Sequence, residues 1–184
     1  MNDERQRLYD LIRERALQFG SFTLASGQTS SYYFDGKQVT LHGEGLRLLA
    51  RLLLRALDPR VEAVGGMSIG ADPITGALLA EAAAQGRVLL GFMVRKERKE
   101  RGTGRQVEGP LRDGLCVAML EDVVTTGGST LRALEALRTE YRVEVVQVLA
   151  MVNRLQGGRE NLAAAGCSLT ALFDLTEFDL APPA

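Results

Sequence analysis

The stretch Leu115–Leu137, LCVAMLEDVVTTGGSTLRALEAL, constrains this chain more than any other. It begins with an apolar run, Leu115 to Leu120, rich enough in aliphatic residues to be a strand buried on both faces. Two acids, Glu121 and Asp122, stand where that strand is expected to end. Thr125-Thr126-Gly127-Gly128-Ser129-Thr130 then opens a helix with Leu131, Leu134 and Leu137 among its apolar positions. A strand, a turn of glycine and hydroxyl residues and a helix start together make an anion cradle. The free N–H groups and the positive dipole end of the helix point at the turn. Glycine lets the backbone come close, and Thr and Ser offer hydroxyls.

The acids narrow the ligand. Two carboxylates would repel a bare phosphate. They suit a ligand that also carries hydroxyl donors, or one that arrives with a divalent cation. A sugar phosphate meets that requirement, so the cradle reads as a ribose-phosphate site. The P-loop pattern is not met, because no lysine follows Gly127-Gly128, and the dinucleotide fingerprint G-x-G-x-x-G is missing here.

A chain of 184 residues suffices for one domain with a real core. The net charge of −1 offers no basic field for nucleic acid, and no apolar stretch reaches the length of a membrane span. The polar start MNDERQRLYD is not a signal peptide. Cys116 and Cys167 sit in apolar surroundings and read as buried free thiols of a reducing cytoplasm, with a disulfide as the alternative. The one histidine, His42, precedes a helix and reads as a loop or cap residue. A mechanism built on a histidine pair or a His-rich metal site is therefore nearly excluded.

Along the chain, Asp3 to Phe19 has helical spacing and Gly20 ends it. Phe22–Ser26 and Ser30–Asp35 read as extended pieces joined by a turn. Helices are expected over Gly43–Leu57, Pro73–Gln85 and Glu160–Ala165. Strands are expected over Val61–Gly66, Val88–Arg95, Val143–Val152 and Leu169–Leu175. Alternating strands and helices give an α/β fold, a mostly parallel sheet with helices on both faces. Ligands of such sheets lie beyond the carboxyl ends of the strands.

Four further features fall at such places. Tyr32, Tyr33 and Phe34 are three of ten aromatics, and on chemistry alone they fit a small core slightly better than a ligand site. Val64-Gly-Gly-Met-Ser-Ile-Gly-Ala-Asp-Pro73 suggests close backbone approach to an anion, and equally an ordinary loop. The segment Arg95–Glu108 carries six basic residues and three acids without apolar periodicity. Such a loop is either functional or a solvated charge run. Two of the chain's three lysines, Lys96 and Lys99, fall in it, and the third is Lys37. Arg154 stands at a strand end before a glycine turn, where a guanidinium can hold a carboxylate through two hydrogen bonds.

Glu121 to Ser129 resembles the phosphoribosyl diphosphate (PRPP) motif of type I phosphoribosyltransferases. F-x-L-x-S-G-x-x-S-x-Y-Y, from Phe22 to Tyr33, resembles the N-terminal signature of the orotate phosphoribosyltransferases, and R-K-E-x-K-x-x-G, from Arg95, resembles their mobile catalytic loop. The resemblance runs through about residues 5 to 180 in four segments. It implies one domain over 1–184, in which residues 1–40 and the C-terminal residues add a small hood to the sheet. It implies transfer of phosphoribose from PRPP to N1 of orotate, yielding orotidine 5′-phosphate and pyrophosphate, in pyrimidine biosynthesis.

By motif match, Arg95, Lys96, Lys99 and Arg101, together with Glu121, Asp122, Val123, Val124, Thr125, Thr126, Gly127, Gly128 and Ser129, meet PRPP. Lys99 and Asp122 are the catalytic pair. Thr125, Arg154, Tyr33 and Phe34 meet orotate. Mg²⁺ is the implied cofactor, held mainly by PRPP and water, with no protein ligand assigned. The family further implies a homodimer whose lid loop reaches the partner's site. Several positions depart from what many members carry: Ala25 and Ile69 where lysines occur, Arg101 where histidine is usual, and Asn153 where aspartate precedes the arginine. Arg101 cannot titrate near neutral pH, so no proton-donor role is expected of it. Competing readings are a phosphoribosyltransferase for another base, a non-catalytic PRPP-binding regulator, and a phosphate-free interaction module.

Overall fold

The computed structural model of the protein describes residues 3–23, 29–98 and 104–180. Among the described residues eight strands form two sheets. In the larger, the order is β5-β4-β3-β6-β7-β8. Its strands are β3 (Ala63–Met67), β4 (Leu90–Val94), β5 (Val107–Glu108), β6 (Cys116–Val124), β7 (Glu144–Asn153) and β8 (Leu169–Asp174). All pairings are parallel except β4 with β5. The sheet is thus mostly parallel, as the β/α alternation predicts.

Its two faces bury different residues. Ala118 and Leu120 of β6 and Leu149 and Met151 of β7 face one core. Val117, Met119, Val148 and Ala150 face the other. This is the period-two alternation of a strand buried on both sides. Helices α3 (Gly43–Ala56) and α4 (Asp72–Ala84) cover the first face through Leu48, Leu49, Leu53, Ile74 and Leu78. Helices α5 (Gly128–Glu140) and α6 (Gly158–Ala164) cover the second through Ala133, Leu134, Leu137 and Leu162. His42 caps α3, its Nδ1 accepting from the Gly45 amide at 3.3 Å, which is the capping role expected of it. Both cysteines are free; Cys167 is buried and Cys116 only partly so.

The chain leaves β3 through α4 on one face to reach β4, and leaves β6 through α5 on the other face to reach β7. β3 and β6 are hydrogen-bonded neighbours. Their following loops therefore diverge and open a crevice at the carboxyl ends, the place where open parallel sheets take ligands.

The N-terminal region departs from its sequence-based expectation. α1 spans only Asp3–Leu11, its last turn widens over Ile12–Ala16, and the chain is extended from Leu17. Leu17 and Phe19 have the spacing to continue the helix but pair with Phe34 and Tyr32 in a separate antiparallel ribbon of β1 (Leu17–Thr23) and β2 (Thr29–Phe34). Gly20 does not end a helix; it lies where the ribbon's register shifts between Phe19 and Phe22. Cross-strand pairing overrides a local preference that a single apolar period cannot distinguish. The ribbon is followed by the short helix α2 (Lys37–Thr40). Ring contacts bind the chain's two ends together, with Tyr9 stacked on Phe178 at 4.8 Å.

Candidate active site

The acids of β6 do not end their strand. β6 runs on to Val124, which is itself buried, so Glu121 and Asp122 lie within the strand's last residues before the turn rather than at its end. Gly127, in the left-handed region at φ 78°, then reverses the chain into α5. A side chain there would be strained, and its Cβ would also press on Leu162 of α6 at 3.3 Å. Above the acids lies a cavity of about 340 Å³ lined by Lys37, Ser68, Ile69, Lys96, Glu121, Asp122 and Ser129, among others. A second cavity of about 460 Å³, lined by Ser68, Ile69, Asp72, Arg95, Lys96 and Glu108, continues from it toward β4 and β5.

The two carboxylates have different surroundings. Glu121 is 5% exposed. Its Oε1 accepts from the hydroxyls of Ser129 at 2.8 Å and Thr130 at 2.9 Å. Burial pushes its carboxyl up to about 7 against the pull of those hydroxyls, and the charge of Asp122 adds to the rise. Asp122 is partly buried, and its Oδ1 accepts from the Val123 amide at 2.8 Å. Burial raises its carboxyl too, while that amide and the Lys37 ammonium oppose the rise. The cavity therefore holds acids poised to accept positive charge or hydroxyl protons rather than two fully solvated anions.

Gly36 and Lys37 of this site escaped the sequence reading, whereas Gly70 falls in the glycine segment it singled out. Gly36 and Gly70 flank Asp122: a Cβ on Gly36 would lie 2.9 Å from Oδ2, and one on Gly70 would lie 3.2 Å from Oδ1. Lys37 lines the cavity and pairs with Asp35 at 2.8 Å. Its rarity was the available signal, since the chain has three lysines and another of them, Lys96, lines the same cavity. Gly65 and Gly66 serve a different purpose from the anion approach expected of them. They lie within β3, where a Cβ would fall 2.0 Å from the Phe92 carbonyl oxygen and 2.3 Å from that of Leu120. They let strands come together, and the turn proper is Ser68 to Ala71, with a cis Ser68–Ile69 peptide.

The remaining expected residues divide. Thr125, Thr126, Gly127 and Gly128 form the turn into α5, with Thr126 exposed and Gly128 open: its Cβ would meet nothing nearer than 3.6 Å. The Ser129 hydroxyl is committed to Glu121. Arg95 and Lys96 follow β4 at the rim of the second cavity, where Arg95 pairs with Glu108 at 3.1 Å. Lys99, Arg101 and Ala25 lie outside the described residues. Strand alternation sends Tyr32 and Phe34 into the core and leaves Tyr33 43% exposed beside Phe22. Arg154 follows β7, its amide donating to the Val124 carbonyl oxygen at 2.8 Å. Asn153, fully buried, donates to Asp174 at 2.9 Å and accepts from the Leu155 amide at 3.1 Å. Among the described residues no group of three or more His, Cys, Asp or Glu side chains is arranged to cage a metal ion.

A scan against protein-family models finds no match. The orotate phosphoribosyltransferase of Rhodopirellula baltica is 45% identical over 182 residues, covering 95% of this chain and 94% of that protein. The chain belongs to the orotate phosphoribosyltransferase family. Among solved structures, Mycobacterium tuberculosis orotate phosphoribosyltransferase in complex with Fe(III) dicitrate matches with a TM-score of 0.84 at 34% identity, covering 96% of this chain and 99% of that one. The same enzyme in complex with PRPP matches with a TM-score of 0.79 at 32% identity over the same shares. Among the described residues no helix of this family member is long and apolar enough to cross a membrane.

Proposed function

We propose that this chain transfers the 5-phosphoribosyl group from PRPP to N1 of orotate, giving orotidine 5′-phosphate and pyrophosphate, in the pyrimidine pathway. The observation that carries this reading is the pair Glu121–Asp122, held beside the N-terminus of α5 in a cavity at the switch point of the sheet. That arrangement joins an anion cradle to acceptors for sugar hydroxyls. The similarity to orotate phosphoribosyltransferases supports it.

The turn from Thr125 to Gly128 and the first amides of α5 receive the 5′-phosphate. Because the Ser129 hydroxyl is directed at Glu121, the backbone and the threonine hydroxyls carry that contact. Asp122, clasped between Gly36 and Gly70, accepts from the ribose hydroxyls. As the bond to the leaving group lengthens, positive charge grows on the ribose carbon, and the carboxylates stabilise it. Arg95, Lys96, Lys99 and Arg101 neutralise the diphosphate. Their loop closes to exclude water, which would otherwise hydrolyse PRPP. Arg154 takes the carboxylate of orotate, Thr125 and Tyr33 border the base, and Phe34 backs that strand from the core. No strong base is needed when N1 is already anionic. The carboxylate and hydroxyl oxygens of the cavity suit a hard cation. Bound together with PRPP, Mg²⁺ would add neutralisation of the leaving diphosphate.

The homodimer with a shared lid that the family resemblance implies belongs to this reading, and the free thiols suit the cytoplasm. Protein mixed with PRPP, Mg²⁺ and one base at a time tests the reading by release of pyrophosphate. Release with orotate alone is expected. Release with uracil or a purine instead, or with none of them, refutes it.

A further inference from the structure

Arg154 is held in an unusual way. Its backbone is pinned on both sides, by the amide bond to Val124 and by Asn153, which braces Leu155 in the left-handed region at φ 56°. Its side chain rests over the ring of Tyr32, with the guanidinium carbon 5.5 Å from the ring centroid. That lies inside the range at which a ring face attracts a cation. The Tyr32 ring is only 3% exposed and sits in the core, so its position is rigid. The Nε of Arg154 is buried with no hydrogen-bond partner among the described residues. Asp174, the carboxylate at the neighbouring strand end, is engaged by Asn153 at 2.9 Å and by Arg159 at 3.8 Å.

The choice of partner matters. A carboxylate would orient a guanidinium but would also neutralise it and compete with any anionic ligand. An aromatic face orients it through the ring quadrupole and leaves its charge and in-plane donors for the ligand. We infer that Tyr32, a hood residue outside the expected aromatic pair, is a positioning residue that sets acceptor affinity by holding the Arg154 guanidinium ready for the carboxylate of the base. The inference rests on the transfer to orotate proposed above.

The test separates ring electrostatics from packing. Tyr32→Phe is compared with a series in which position 32 carries phenylalanine bearing increasing numbers of ring fluorines. Fluorine withdraws charge from the face and changes the shape little. Tyr32→Phe is expected to behave like the parent protein. Along the series the KM for orotate rises stepwise, by about 10-fold in total, within the range known for such contacts. The KM for PRPP and the thermal midpoint hold constant. A purely structural role for Tyr32 would move all three together or none. A flat KM for orotate along a folded series overturns the inference while leaving the function intact. A parent protein that releases no pyrophosphate with orotate overturns the functional reading, and this inference with it.

Discussion

Replacing Glu121 with glutamine probes the charge state of the cavity directly. The two side chains have the same shape, and the amide oxygen can accept from Ser129 and Thr130 as the carboxylate does. The charge is lost and the second carboxylate oxygen becomes an amide donor. In the folded chain the Glu121 carboxyl is raised from its ordinary 4.5 to about 7. Between those values the folded state keeps a proton that the unfolded state has released, so stability falls as pH rises through that window. Above about pH 8 both states are ionised and the native protein carries the full cost of the buried charge, roughly 3 kcal/mol at 1.36 kcal/mol per unit. Below about pH 4 the carboxyl is neutral in both states and the cost is absent. Glu121→Gln is therefore expected to exceed the parent in stability by up to about 3 kcal/mol at pH 8 and to match it at about pH 4. Relief of the repulsion on Asp122 acts in the same direction.

Urea denaturation without ligand, followed by circular dichroism at the two pH values, measures the difference. With an ordinary slope the midpoint should rise by about 1–2 M at pH 8. The same variant should lose about 100-fold in kcat/KM for PRPP at pH 8, because an electrostatic partner of the developing positive charge is gone. A stability difference that is equal at both pH values would show that Glu121 titrates like a surface carboxylate and would refute the reasoning.

Two more outcomes are expected. Gly36 has φ −57° and ψ −25°, which alanine adopts freely, but its Cβ would lie 2.9 Å from Asp122 Oδ2; Gly36→Ala should displace that carboxylate, lower kcat/KM for PRPP about 10-fold and cost about 1–2 kcal/mol by overpacking, read by kinetics and denaturation in parallel. Lys99→Ala should cut turnover about 100-fold with little change in stability; mixed dimers with an Asp122→Asn chain should recover part of the activity, and a fully active Lys99→Ala protein would remove the lid from the mechanism.

Much of the framework was legible along the chain because its signals are local. The run Leu115 to Leu120 is long and aliphatic enough to be recognised as a doubly buried strand, and β6 begins within one residue of it, at Cys116. His42 announces α3, and the Thr-Gly-Gly-Ser turn announces α5. What failed involved distant partners. Leu17 and Phe19 look helical until β2 is placed beside them. β5 has only two residues, and nothing but the edge of β4 makes it a strand. Gly65 and Gly66 look like a ligand loop until the carbonyl groups of Phe92 and Leu120 press against them.

The site divides along the same line. By itself the sequence determined the chemistry on offer: two acids, a hydroxyl and glycine turn, a basic loop and one arginine, each announced by residue type and order within a few positions. Only the tertiary structure decided how these groups are charged and aimed. It buried Glu121 and bound it to Ser129, set Asp122 between Gly36 and Gly70, brought Lys37 to the cavity and laid Arg154 over Tyr32. Burial, close approach and ring contact arise between segments far apart in the chain, and no local pattern encodes the distance between them.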